Sequence, residues 1–253
     1  DVVAKEKFEN YSIKKEVEFR KRYGGDHVPK ILFYKERWYR EEIIDGKPLA
    51  RVVKAKEYEE AKKESMKILC NMTSEWRHVV NSKDYINETV SKVNTKTFLL
   101  LRNKPLCKKM MYKAIDYIKK ELITFKKDIT LTLSHGDFHH GNIWIENSTR
   151  RIIFIDWETY EIRSQWYDPV TLFGGLREIK GIERLLDNAV NDRILSFIKC
   201  DNPNEMRSII FMVILEDVLF RLTEVESFPF EIGVYEFERY CLNLYNALVK
   251  AYR

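Results

Sequence analysis

The sequence predicts a two-lobed α+β protein, on three observations. Residues 1–46 read as short strands around one helix, with Gly and Pro at the joints. From Glu57 onward the pattern changes to long stretches with helical spacing. Between those helical stretches, residues 129–156 form three short apolar runs separated by polar turns. Strands grouped in one part and helices in another mark the α+β class.

In order, Val2-Val3-Ala4 reads as the end of a strand. Ser12 is placed to cap a helix over 13–23, which Gly24-Gly25 ends. Val28 to Tyr34 and Arg37 to Ile44 read as paired strands, with Asp45-Gly46 closing the second and Pro48 in the connection that follows. Residues 57–80 and 107–125 read as helices, the latter with Met110, Met111, Ala114, Ile115, Ile118 and Leu122 on an apolar stripe. Residues 129–134, 142–146 and 151–156 read as strands, with a turn at Asn147-Ser148-Thr149. Helices are expected again over 181–200, 205–226 and 233–252.

Composition narrows the function. Of 253 residues, 45% are hydrophobic, and Gly and Pro number only 9 and 6, which suits a folded, helix-rich chain. The net charge of +5 comes from 44 basic and 39 acidic residues mixed along helical stretches, so no nucleic-acid partner is expected. Cys70, Cys107, Cys200 and Cys241 lie far apart with no C-x-x-C pair, which points away from zinc and disulfides and towards a reducing, cytoplasmic setting. The longest apolar run, Ile209 to Leu215, is too short to cross a bilayer and is followed by Glu216-Asp217, so no membrane insertion is expected. The oligomeric state is not readable.

The chemistry lies in Leu133-Ser134-His135-Gly136-Asp137-Phe138-His139-His140-Gly141-Asn142, followed by Ile152-Ile153-Phe154-Ile155-Asp156-Trp157. An apolar hairpin thus carries a carboxylate and an amide in its entry loop and a second carboxylate at its exit. Phosphoryl transfer passes through a loose, highly charged transition state, so positioning and charge neutralisation do most of the work. Mg²⁺ takes hard oxygen ligands and keeps several waters, so Asn142 and Asp156 suffice to hold it. Asp137 then orients the acceptor hydroxyl and takes its proton. His135 is expected to hold the loop by hydrogen bonding rather than to carry a proton. The neighbouring His139 and His140 point different ways and lack a third ligand at useful spacing, so a zinc site is not expected.

H-G-D-x-x-x-x-N followed by I-D-W resembles the catalytic and metal-binding loops of the aminoglycoside phosphotransferase and choline kinase superfamily. The resemblance implies a protein-kinase-like fold and an enzyme that moves the γ-phosphoryl group of ATP or GTP, with Mg²⁺, to a hydroxyl of a small molecule such as an aminoglycoside, amino alcohol or sugar. It implies an N-terminal lobe at 1–46 with a hinge at its end, and a helical lobe at 47–253 carrying catalytic hairpin loops at 129–160.

Val28-Pro29-Lys30-Ile31-Leu32 is similar to the strand before the family's hinge, and Glu41 to Leu49 to the hinge and its turn. Backbone groups of Glu42 and Ile44 would then meet the adenine edge. Val2-Val3-Ala4-Lys5 resembles the strand with the phosphate-binding lysine, Lys5, whose partner on the next helix would be Glu16, with Glu18 as competitor. Asp168, in Trp166-Tyr167-Asp168-Pro169, would brace the catalytic loop. The family's first two strands and phosphate-covering loop would precede Asp1, so an N-terminal segment is expected there. Acidic residues Glu158, Glu161, Glu216, Asp217, Glu224 and Glu226, with Trp157, Tyr160, Trp166 and Tyr167, are candidates to receive a cationic acceptor.

A protein kinase fits less well, because Gly136 stands where such enzymes usually carry Arg and neither D-F-G nor A-P-E is found. A nucleotide-binding pseudokinase is the other alternative, and the intact Asp137, Asn142 and Asp156 argue against it.

Overall fold

The structure is a computed structural model that describes residues 2–6, 13–35, 38–178, 180–187, 198, 200, 202–227 and 230–252, with backbone alone at 2–6, 227, 230 and 231. The chain forms two compact units, Asp1–Arg77 with Thr132–Ile162, and His78–Leu131 with Arg163–Arg253. It is a mixed α+β protein with a small antiparallel sheet in its N-terminal region and a larger helical part.

In the first unit, β1 (Val2–Glu6), β3 (Trp38–Glu42) and β2 (Ile31–Lys35) form an antiparallel sheet in that order. The helix α1 (Ile13–Tyr23) comes between β1 and β2, and its Ile13 and Val17 pack with Tyr39 of β3 and with Ile31. Gly24 N–H donates to Arg20 O at 2.9 Å, so the helix ends where the glycines predict. The expected strand over 28–34 starts three positions later, at Ile31. Pro29 has no N–H for a ladder, and its carbonyl accepts from Arg20 Nη2 at 2.6 Å.

A second sheet, β4-β7-β8, carries the motif. It joins β4 (Gly46–Pro48), β7 (Ile143–Glu146) and β8 (Ile152–Phe154). Ile143 and Ile145 are buried in alternation along β7, whereas Ile152, Ile153 and Phe154 of β8 are a continuous apolar run buried on both faces. Residues 46–48, expected as a connection, pair with β7, and Ala50 N–H donates to His140 O at 3.0 Å. His27 Nδ1 lies 2.8 Å from Ile152 O. These bonds lie within the unit of Asp1–Arg77 with Thr132–Ile162.

The helix expected over 57–80 ends earlier. α2 runs Ala55–Met72, and Thr73 closes it with N–H and Oγ1 both on Leu69 O, at 3.0 and 2.9 Å. His78–Val80 is then a strand, β5, antiparallel to β6 (Ile129–Ser134), which β9 (Glu161–Ser164) flanks on the other side. Pairing with β6 and the β-branched Val79 and Val80 outweigh local helix propensity here.

The second unit is built on α3 (Ser82–Leu100), α4 (Pro105–Leu122), α5 (Tyr167–Gly174), α6 (Gly181–Leu185), α7 (Pro203–Ser227) and α8 (Phe230–Ala251). Asn81 caps α3 by accepting from Lys83 N and Asp84 N, and Pro105 opens α4 at its first turn. Packing of α3 and α4 against α7, and of α4 and α7 against α8, buries Met111, Ile115, Phe211, Ile214, Leu244 and Leu248. The stretch Ser208 to Val218 of α7 is buried all round, which explains a run with no amphipathic pattern as core helix. No helix among the described residues is long and apolar enough to cross a membrane. The Ser12 cap, the first residue of the strand expected from Arg37 and most of the helix expected over 181–200 lie outside the described residues.

Candidate active site

The strand β6 delivers Ser134 and His135, both buried, to the head of the loop. His135 Nε2 lies 2.9 Å from Ile155 O, and a carbonyl only accepts, so that nitrogen carries the proton. Thr159 Oγ1 donates to His135 O at 3.2 Å. The ring packs at 4.5 Å from Trp157, whose indole is 4.9 Å from Phe19 of α1. His135 therefore ties the entry of the loop to the residue before Asp156. The side chain itself has no exposed surface.

Gly136 follows with φ +88°, a conformation costly for any side chain, and its N–H donates to Ser134 Oγ at 3.0 Å. Asp137 follows, its side chain 28% exposed between the buried Gly136 and Phe138. Asn142, buried, donates from Nδ2 to Asp137 O at 3.0 Å and to Asp137 Oδ2 at 3.3 Å. His139 Nε2 approaches the same Oδ2 at 3.4 Å. The loop closes through His139 N–H to Asp137 O, 3.0 Å, and Asn142 N–H to His139 O, 2.9 Å.

Asp156 stands at the other side of the hairpin mouth. The ladder pairs Ile143 with Phe154, and Ile155 N–H donates to Asn142 O at 3.0 Å, which puts Asp156 one residue beyond the neighbour of Asn142 across the hairpin. Asp156 has φ +66° and ψ +56°, the left-handed region that a non-glycine residue enters at a cost. It leads into a tight turn, Trp157–Thr159, anchored by Trp157 Nε1 donating to Phe154 O at 3.1 Å. The buried Trp157 thus braces the residue before it. Asp137 and Asn142 are thus in contact, and Asp156 lies at the same end of the hairpin.

The sequence matches no protein-family model and no curated protein. Solved structures do match. A choline kinase from Cryptosporidium parvum is 13% identical with a TM-score of 0.57, covering 99% of this chain and 81% of that one. A Plasmodium vivax ethanolamine kinase is 14% identical with a TM-score of 0.55, covering 98% and 76%. A choline kinase from Streptococcus pneumoniae is 17% identical with a TM-score of 0.55, covering 99% and 85%. The chain has the fold of a small-molecule kinase.

Within this kinase fold, the remaining predicted residues fall as follows. Lys5 lies on β1 opposite Tyr39 in the strand register, and its side chain lies outside the described residues. Glu16 is fully buried and accepts from Tyr39 OH at 2.9 Å and Arg20 Nη1 at 3.3 Å, whereas Glu18 is exposed beside Lys14. Arg20, missed by sequence reading, also holds Glu41 through Nη2 at 2.6 Å. Burial works against its charge, yet Glu41, Tyr39 and Glu16 raise its pKa above the ordinary arginine value. Glu42 N–H donates to Lys30 O at 3.0 Å, and Ile44 is half-buried just before β4.

The acidic residues considered for a cationic acceptor do not form one set. Glu216 is buried and accepts from Ser164 N, Ser164 Oγ and Tyr85 OH. Asp217 is buried and accepts from Arg177, Tyr167 OH and Tyr240 OH. Both hold the helical unit together. Asp168, at the start of α5, is buried in that unit too. Among the described residues no group of three or more His, Cys, Asp or Glu could hold a metal ion.

Proposed function

We propose that the chain is a phosphotransferase that moves the γ-phosphoryl group of ATP or GTP to a hydroxyl of a small molecule such as an amino alcohol, an aminoglycoside or a sugar. The observation that carries this reading is the contact of Asn142 with Asp137, with Asp156 at the same end of the hairpin, in a fold shared with choline and ethanolamine kinases.

The residues present fit Mg²⁺. The NH₂ of Asn142 is taken up by Asp137, so its amide oxygen faces away from that carboxylate and, with Asp156, offers the hard-oxygen pair this ion accepts. Bound there, Mg²⁺ supplies neutralisation of charge on the phosphates. Asp137 orients the acceptor hydroxyl and takes its proton at the carboxylate. His135 and Trp157 keep the two sides of the hairpin mouth in register.

Lys5 contacts the phosphates, with Glu16 as its partner. In support, Lys5 lies opposite Tyr39, whose hydroxyl donates to Glu16. The adenine edge meets the backbone of Glu42 and Ile44. Since Glu42 N–H already serves Lys30 O, the carbonyl of Glu42 and the N–H of Ile44 are the groups that serve it. A cytoplasmic setting, where nucleotide and Mg²⁺ are abundant, suits this chemistry.

The test is to incubate the protein with ATP or GTP, Mg²⁺ and a panel of choline, ethanolamine, aminoglycosides and sugars, following the acceptor by mass. A phosphate-sized gain on one small acceptor, lost in Asp137→Asn, supports the reading. Nucleotide binding with no transfer to any acceptor would favour a pseudokinase, and no nucleotide binding would sink both.

A further inference from the structure

We infer that His139 is a positioning residue for Asp137: its Nε2–H holds the Oδ2 of the proposed base. This rests on the phosphotransfer reading of the site, but the contact itself can be tested without turnover.

The tautomer follows from the hydrogen bonds. Gly141 N–H donates to His139 Nδ1 at 3.0 Å, so Nδ1 presents its lone pair, and the proton of the neutral imidazole sits on Nε2. That nitrogen lies 3.4 Å from Asp137 Oδ2. Catalytic hydrogen bonds are often this long before substrate binds and shorten when it does. Asn142 Nδ2 donates to the same oxygen at 3.3 Å, so two side chains three positions apart fix one carboxylate oxygen. Two donors on one oxygen restrict rotation of the carboxylate, so its orientation toward an acceptor hydroxyl is favoured before that hydroxyl arrives.

Gly141 is part of the device. A Cβ there would lie 2.6 Å from His139 Cε1 and 3.0 Å from Nδ1, so only glycine leaves room for the ring against the backbone that orients it. The adjacent His140 contributes differently, through its carbonyl, which accepts from Ala50 N–H.

Two substitutions separate the roles of the two ring nitrogens. His139→Gln keeps an N–H donor at the reach of Nε2 and loses the acceptor for Gly141. His139→Asn keeps an acceptor at the reach of Nδ1 and loses the donor. With the acceptor that wild type phosphorylates, His139→Asn is expected to lower kcat by roughly 100-fold with nucleotide KM unchanged, and His139→Gln to stay within about threefold of wild type. Equal losses in the two variants, or no loss in His139→Asn, would overturn the proposal, as would a change confined to KM.

Imidazole ¹⁵N shifts of the full chain give a second readout that needs no activity. The Nε2–H tautomer is expected at His139, with its Nε2 signal moving in Asp137→Ala. An Nδ1–H tautomer, or no movement, would overturn the contact. Should wild type transfer no phosphate while the shifts behave as expected, the contact stands and only the phosphotransfer reading falls.

Discussion

Asn142 reaches Asp137 twice with one nitrogen, at 3.0 Å to the backbone carbonyl and 3.3 Å to the carboxylate Oδ2. The same side chain therefore fixes the proposed base and aims its own oxygen elsewhere. Asn142→Ala is expected to lose both, lowering kcat by about 100-fold or more and raising the Mg²⁺ concentration needed for half-maximal rate. Steady-state rates across a Mg²⁺ titration check this. An unchanged Mg²⁺ requirement would remove Asn142 from the ion's ligands.

Trp157 links the exit of the hairpin to α1. It is fully buried, with Phe19 at 4.9 Å and His135 at 4.5 Å. Trp157→Ala should destabilise the protein by about 3–5 kcal/mol, read from the midpoint of urea unfolding. Trp157→Phe should cost less but still reduce turnover, because the bond to Phe154 O that seats the turn after Asp156 is lost.

Gly136 at φ +88° shapes the entry to Asp137. Gly136→Ala forces a Cβ into that conformation, at a cost of about 1–2 kcal/mol. The folded variant should relax by turning Asp137 away, so its turnover should fall further than its stability. Parallel kinetics and urea unfolding compare the two.

Two adjacent carboxylates of α7 should respond to pH in opposite directions. Burial opposes the charge of Asp217, but Arg177 and Arg221 outweigh it and hold its carboxyl below the ordinary 3.8. A depressed folded pKa contributes stability above 3.8 that is lost as pH falls through the folded value. Asp217→Asn, which removes the carboxylate that neutralises the buried Arg177, should cost about 3–5 kcal/mol at neutral pH, and its deficit should shrink in acid.

Burial pushes Glu216 the other way, above its ordinary 4.5. Its contribution is full below 4.5 and is lost as pH rises through the folded value, so Glu216→Gln should gain on wild type as pH rises. Urea unfolding midpoints across pH for both variants check the signs.

The hairpin was legible in the sequence because 129–134, 142–146 and 151–156 are apolar runs between polar turns, and their chemistry sits at the run ends. Helix α1 was legible because Gly24-Gly25 closes it. What escaped was decided by partners distant in sequence. The helix expected to reach 80 stops at Met72 because 78–80 pair with β6. Glu16 and Glu18 differ in role only once α1 docks its Glu16 side on Tyr39, which also brings in Arg20. Glu216 and Asp217 looked available for a cationic ligand, yet Ser164, Tyr85, Arg177 and Tyr240 take them up, and nothing local in α7 signals that.

The most direct test of the central claim follows transfer of the terminal phosphate of γ-labelled ATP or GTP to small hydroxyl acceptors, comparing wild type with Asp137→Asn. The account predicts label on one acceptor with wild type and a fall of roughly 1,000-fold or more in the variant, with nucleotide affinity unchanged. Equal transfer by the two proteins would contradict it, because the reaction would then not depend on the carboxylate that His139 and Asn142 hold.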